Sequence, residues 1–567
     1  MGPSSESNSL AALAKEYWEM RMVADPLYAT VLGDRRYDDR LQDITPQGRL
    51  RRERQVAAII RRCTEIDESS LSEADKLTRT VLLVEARAML DYSSCGLDDW
   101  TVDPLGGPQV EFQNTESYQL VRTLAEGKAM AKRWNAMGGF LDDHMANLGR
   151  GAAKGKFAAR ICVEKTIEEL RDLLARQTKE WPFLRPLAQP HEDWPERDVR
   201  AFNKGLTEAT KTSIRPAFAR YLKFLKSEVL PGARPQERPG IMHVPGGPDA
   251  YARLTKVHTS LDLPVDGFHR TGLREVERIN GEMEKLGEKV LGTRDRPRIL
   301  ERLRTDRSLY FSSRDEVAAK AEDALSRAKA AIPKWFGRLP EADCVVVRME
   351  EHEEKHSTLA YYRQSAADGS RPGSYYINTS SPETRPRYEA EALAYHESVP
   401  GHHLQIAIAQ ELEGLPDFRR YSGVTAFVEG WGLYTEGLAD EMGLYSSDLD
   451  RIGRLSYDSW RACRLVVDTG MHAKGWSREQ AIDFMMKNSA LAKNNIVNEV
   501  DRYITWPGQA LAYKTGQLEI MRLRRRAEKR LGKKFDIRAF HDAVLGSGAV
   551  PLEALRKIVG AWTESRL

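Results

Sequence analysis

From Leu10 to about Leu230, apolar side chains recur at three- and four-residue intervals, as in SLAALAKEYWEMRM from Ser9 and KTIEELRDLLARQ from Lys165. That period matches the turn of an α-helix with one buried face, and the scarcity of β-branched runs argues against strands. The first 231 residues therefore predict a helical region. Between Leu230 and Ala250 the pattern breaks into LPGARPQERPGIMHVPGGPDA, too rich in proline and glycine for any regular helix. A second region, 232–343, begins with this loop and resumes helical spacing in VDGFHRTGLREVERINGEMEKLGEKVL and SRDEVAAKAEDALSRAKAAIPKWF.

Period two appears in one place. CVVVRME (344–350), TLAYYRQ (358–364) and SYYINTS (374–380) are β-branched and aromatic runs separated by polar or Gly/Pro stretches, which predicts three short strands in a small antiparallel sheet. Amphipathic helices then run to the C-terminus, interrupted at TWPGQA, so 344–567 forms the third region. The expectation is a mainly α fold: a large helical body with one small sheet.

Charge narrows the function. With 86 basic and 83 acidic side chains the net charge is +3, and RRERQ, RLRRRAEKR and RLGKK read as solvated helix faces without the aromatic or zinc-finger pattern of a nucleic-acid protein. Neither nucleic acid nor a membrane is an expected partner. The five cysteines, Cys63, Cys95, Cys162, Cys344 and Cys463, are far apart and never form a CxxC pair, which suits a reducing compartment. The N-terminus lacks a basic n-region followed by an apolar h-region, and a cytoplasmic protein is expected.

Three of the twelve histidines, His396, His402 and His403, fall within YHESVPGHHLQ, beside Glu397. The stretch begins like the HExxH helix of a zinc peptidase, in which histidines one turn apart reach one ion and the adjacent glutamate serves as general base. Here Pro400 stands where the second histidine belongs. On an unbroken helix His403 would share the face of His396 but lie about 10 Å along the axis, and His402 would point about 120° away. Pro400 removes a helical hydrogen bond and Gly401 tolerates unusual dihedrals, so a break is expected between the ligands, able to return a later histidine to the first. A third ligand is suggested in TAFVEGWGLYTEGLADEMG, where Glu429 follows Glu397 by 32 residues in an apolar setting that demands a partner for its charge. Glu436, seven residues on, shares nearly the same helix face and is the weaker alternative. Two histidines and a glutamate leave one position open on a single Zn²⁺ per chain.

At these residues the chain resembles a large bacterial family of metallopeptidase-like proteins, long catalogued as a domain of unknown function, marked by HExxPGHHLQ and a following EGWxLYxE. The resemblance extends to DPLYATVLGDRRYDDRL, PGSYYINTSSPETRPRYEAEALAYHESVPGHHLQ, RLVVDTGMHAKGWSREQAI and PGQALAYKTGQLEI. More distantly it is similar to the helical gluzincin peptidases, relatives of oligopeptidases and angiotensin-converting enzyme. That resemblance implies a helical body with a deep channel, a sheet strand lining the cleft, and hydrolysis of short peptides. It implies His396 and Glu429 as first and third ligands and Glu397 as general base. Aligning the Gly-His pair makes His402 the second ligand and His403 a supporting or transition-state residue, and the departure at Pro400 leaves that choice open.

Further candidates are His472, Tyr503 and Tyr513 as donors to a developing oxyanion, and Arg502 as a bidentate partner for a substrate carboxylate. Asn378 and Tyr376 lie in GSYYINTS, read as an edge strand able to pair with an extended peptide. Each also has an ordinary packing role open to it. The expected function is a zinc hydrolase cleaving an amide in short peptides or amino-acid conjugates. The alternatives are a metal-dependent tailoring enzyme for one metabolite and a non-enzymatic binding protein. The sequence carries no reading of oligomeric state.

Overall fold

The structure, a computed structural model, describes residues 4–349, 354, 358–365, 371–421 and 423–567. It is mainly helical, with 73% helix against 3% strand. The helices that position the site are labelled here in chain order: α1 (Val265–Leu291), α2 (Arg314–Ala331), α3 (Ala390–Glu397), α4 (His402–Gln410), α5 (Thr425–Glu441), α6 (Asp448–Ala473), α7 (Lys493–Thr505) and α8 (Ala512–Leu531).

Apolar stripes on these helices close three main cores. One joins N-terminal Leu10, Tyr17 and Val81 to the sheet, to α3–α5 and to C-terminal Phe540 and Val559. A second is built within the N-terminal half around Trp134, Trp181 and Phe218. The third lies between α1, α6 and α7, with Ile279, Val467 and Ile504 fully buried. Two close helix crossings depend on glycine. A Cβ on Gly272 of α1 would stand 2.7 Å from Leu465 and Val466 of α6, and one on Gly430 of α5 would stand 2.4 Å from Gly516 of α8.

The three expected strands form, as β1 (Cys344–Arg348), β2 (Ala360–Arg363) and β3 (Gly373–Ile377); Glu350, the end of the first expected run, lies outside the described residues. Their order is β1-β3-β2, with β2 antiparallel to β3 but β1 parallel to it. The wholly antiparallel expectation is thus corrected. It assumed that strands adjacent in sequence are adjacent in space, whereas β1 and β2 occupy opposite edges of β3 and never pair. The same order corrects the reading of GSYYINTS as an edge strand, because both backbone edges of β3 are already used.

Several buried polar side chains tie the helices together. His541, fully buried, donates from Nδ1 to the Trp335 carbonyl at 2.8 Å and accepts from the Tyr434 hydroxyl at 2.8 Å. Burial pushes its pKa down to about 3, so the folded protein holds it neutral. The unfolded chain binds a proton there near pH 6.5 and the folded chain does not, so this contribution to stability is full at neutral pH and declines as pH falls through about 6.5 toward the folded value. By pH 5 the loss from this one group amounts to about 2 kcal/mol. The thermal midpoint is expected to fall less between pH 7 and pH 5 in a His541→Gln variant than in the wild type; equal falls would contradict this assignment.

Candidate metal centre

The break between α3 and α4 is where the sequence expects it. Helix α3 ends at Glu397; Ser398 (φ −103°, ψ −115°) and Gly401 (φ −79°, ψ −126°) leave helical space, the Val399–Pro400 bond is cis, and α4 begins at His402. Gly401 lies on the end of α3 so closely that a Cβ would stand 1.9 Å from the His396 carbonyl oxygen, a position only glycine can fill. The fold-back sets the rings of His396 and His402 edge to face with centroids 4.7 Å apart. The Trp431 indole N–H donates to the Pro400 carbonyl at 3.0 Å, pinning the turn to α5.

Helix α5 supplies the acids. Glu429 and Glu436 stand two turns apart on one face and address opposite ends of the same imidazole: His396 Nδ1 donates to Glu436 at 2.8 Å, and His396 Nε2 faces Glu429 Oε2 at 3.7 Å. Gly432 lies between them, and a Cβ there would meet the ring at 2.8–3.1 Å. The EGWGLYTE segment is therefore a cradle for one histidine ring. The bond to Glu436 places the proton on Nδ1 and turns the Nε2 lone pair outward, the arrangement that orients histidine ligands in metal sites.

His402 Nε2 lies 3.6 Å from the same Glu429 oxygen, and the ligand atoms of His396, His402 and Glu429 all fall within 4.8 Å of one another. The two contacts to Glu429 are long for hydrogen bonds. They are close to the separation of neighbouring ligands around one tetrahedral ion, about 3.3 Å for bonds of about 2.0–2.1 Å. The donor set, two imidazole nitrogens and one carboxylate oxygen, fits a divalent metal ion. Glu429 and His402 keep 21% and 11% of their side-chain surface exposed, so the triad is reachable from one side, whereas His396 and Glu436 are buried.

Electrostatics agree with a site built for a cation. Burial opposes the charge on Glu429, yet His396 and His402 hold its pKa well below the usual carboxylate range. Burial likewise opposes a proton on His396, but Glu429 and Glu436 outweigh it and raise the ring to about 9, so near neutral pH Nε2 carries a proton that a bound metal ion would displace. Glu397, at the end of α3, is pushed up by burial.

Several residues singled out from the sequence are otherwise engaged. His403 lies outside the triad: Nε2 donates to the Ala342 carbonyl and Nδ1 accepts from the Tyr362 hydroxyl, both at 3.0 Å, which fixes α4 to the sheet. His472 is equally saturated, accepting from the Ile241 N–H at 3.0 Å and donating to the Tyr503 carbonyl at 2.9 Å, so it anchors the Pro/Gly loop and cannot serve an oxyanion. The Tyr503 hydroxyl accepts from Trp460 and Arg464 and donates to Glu499, leaving nothing for a substrate. Arg502 pairs with Glu499 at 2.8 Å and bonds Gln509, an internal ion pair and not a carboxylate receptor. Asn378 spends its amide on the Glu354 and Thr358 carbonyls and on Ser380, shaping the turn after β3. Tyr376 stacks on Tyr361 at 4.9 Å beneath Arg363. Tyr513 stays half-buried with its hydroxyl in one long contact, from Gln509 at 3.5 Å, and the Tyr376 hydroxyl is likewise held only by Arg363 at 3.4 Å.

One residue near the centre gave no sequence signal. Arg461 of α6 is 4% exposed and places Nη2 3.6 Å from Glu436 Oε1. Its neighbours on α6 look like any amphipathic helix, and only the meeting of α5 and α6 discloses it.

His402→Ala is expected to abolish metal retention, whereas His403→Ala keeps about one ion per chain and lowers stability by about 1–3 kcal/mol through its two orphaned partners. Metal analysis after dialysis, with thermal unfolding, separates the two; loss of metal in the His403 variant alone would reverse the assignment.

The chain is similar over 99% of its length, and 100% of the other's, to a "putative lipoprotein" from Colwellia psychrerythraea, with 27% identity and a TM-score of 0.91. It shares its fold with a "putative lipoprotein of unknown function" from Shewanella oneidensis at 18% identity and a TM-score of 0.74, covering 98% and 99% of the two chains. The cytoplasmic location expected from the sequence gains no support from these titles; among the described residues no helix is long and apolar enough to cross a membrane. No curated protein matches the chain. Residues 26–559 match the family model described as "Bacterial protein of unknown function (DUF885)", and the chain belongs to that family.

Proposed function

We propose that this protein is a zinc-dependent hydrolase that cleaves an amide bond in a short peptide or amino-acid conjugate. The observation that carries the reading is the convergence of His396, His402 and Glu429 on one point while Glu397, a carboxylate that no described residue engages by hydrogen bond, stands beside it. Two imidazole nitrogens and a carboxylate oxygen suit Zn²⁺ and leave one position open. Bound there, the ion would supply Lewis acidity toward the substrate carbonyl and toward a water at the open position.

The chain's own residues supply the rest. Glu436 holds His396 in the tautomer that presents Nε2. Glu397, raised by burial above the usual carboxylate range, takes the proton of the attacking water and delivers it to the departing amine, so amide and water become acid and amine. A binding protein has no use for a free base beside a preset ligand triad, which favours an enzyme over a scaffold. The resemblance to helical gluzincins points the same way.

Glu397→Gln is expected to retain zinc at the wild-type stoichiometry and to lose at least ~100-fold in turnover, as removal of a general base does. A panel of mixed di- and tripeptides read by mass spectrometry checks it. Broad cleavage by the wild type favours peptide catabolism, cleavage of none favours a tailoring enzyme, and full activity in the variant would remove the mechanism.

A further inference from the structure

Helix α6 carries two buried guanidinium groups one turn apart, Arg461 and Arg464, at 4% and 3% exposure. Both lie over the Trp460 indole, at 4.2 and 4.4 Å from its centroid, with Tyr457 under Arg461 at 4.6 Å and Tyr513 under Arg464 at 4.2 Å. Neither is saturated. Nε and Nη1 of Arg461 and Nη1 of Arg464 are buried without a hydrogen-bond partner.

Buried guanidinium N–H groups left unpaired are rare, because each forfeits hydration without replacing it. Acids stand near both groups, Glu499 beside Arg464 and Glu436 3.6 Å from Arg461, yet the unpaired N–H groups find no acceptor among them. The cluster therefore holds a surplus of planar donors, lined by aromatic faces. A carboxylate has the complementary charge and the two-oxygen geometry that a guanidinium fork binds best.

Position decides which carboxylate. Arg461 stands 3.6 Å from Glu436 and within electrostatic reach of Glu397, the carboxylate beside the triad. A group bound on the Glu397 side of Arg461 thus lies within about one or two residues of the triad, at about 3.3–3.6 Å per extended residue. Resting on the hydrolase reading above, we propose that Arg461, supported by Arg464, binds the free C-terminal carboxylate of the substrate, which makes the enzyme an exopeptidase releasing a single C-terminal residue, or a dipeptidase. The carboxylate role expected of Arg502 passes to its neighbours on α6.

The test compares acids with amides. Zinc-loaded wild-type protein is offered a panel of Ala-X dipeptides and the matching C-terminal amides, with cleavage read by mass spectrometry. Binding of the same compounds to the Glu397→Gln protein is read by calorimetry. The acids are expected to bind and react about 10- to 100-fold better than the amides, the factor one charge-assisted bidentate contact supplies. Arg461→Met and Arg461→Lys are expected to shrink that ratio while zinc stays at one per chain. Amides equal to acids, no binding by any acid, or an unchanged ratio in zinc-replete Arg461→Met would each overturn the proposal. Because the wild-type comparison needs no substitution, a variant that fails to fold does not rescue it. Absence of zinc from the triad, or full turnover by Glu397→Gln, would sink the hydrolase reading separately, since acid preference is also read by binding.

Discussion

The site depends on one imidazole held between two carboxylates. His396 is buried and would not hold a defined orientation without a partner on each nitrogen side; Glu436 fixes Nδ1 and Glu429 faces Nε2. Both acids come from a single helix face, so their spacing is set by helical geometry and not by side-chain flexibility. The ring can lie that close only because Gly432 has no Cβ, and α5 itself is seated against α8 through Gly430 and Gly516. Three glycines thus convert helix packing into ligand geometry, and Gly401 does the same for the second histidine by folding α4 back on the end of α3.

This arrangement shows how an interrupted HExxH can still bring two imidazoles and a glutamate together. A continuous helix places ligands at i and i+4; here the chain leaves the helix at Ser398 and re-enters it at His402, and the ring of residue i+6 comes to lie against that of residue i. The proline forbids the ordinary solution and the glycine permits the alternative.

Helical period, strand runs and the Pro-Gly break were legible in the sequence because each rests on local spacing; the meeting of Glu429 with the histidines was signalled only by a carboxylate in an apolar segment and by the family resemblance. The helix-face relation of Glu429 to Glu436 was legible too. What was not legible depends on which elements meet. The parallel pairing of β1 with β3 and the saturation of Tyr503 by Trp460, Arg464 and Glu499 involve partners far apart in the chain. His403 and His472 illustrate the limit best: each sits in a promising motif, yet backbone groups from distant segments occupy both nitrogens of His472 and a carbonyl and a tyrosine occupy those of His403. Arg461 is the opposite case, a residue of unremarkable spacing made conspicuous by what surrounds it.

The account stands on two imidazoles and one carboxylate sharing an ion. X-ray absorption at the zinc edge, on wild-type protein loaded with one equivalent of Zn²⁺ and freed of excess, tests that directly. The account predicts two histidine nitrogens and light oxygen donors at about 2.0–2.1 Å, with the imidazole multiple-scattering signature of two rings. A spectrum with no imidazole contribution, or with three, would contradict it.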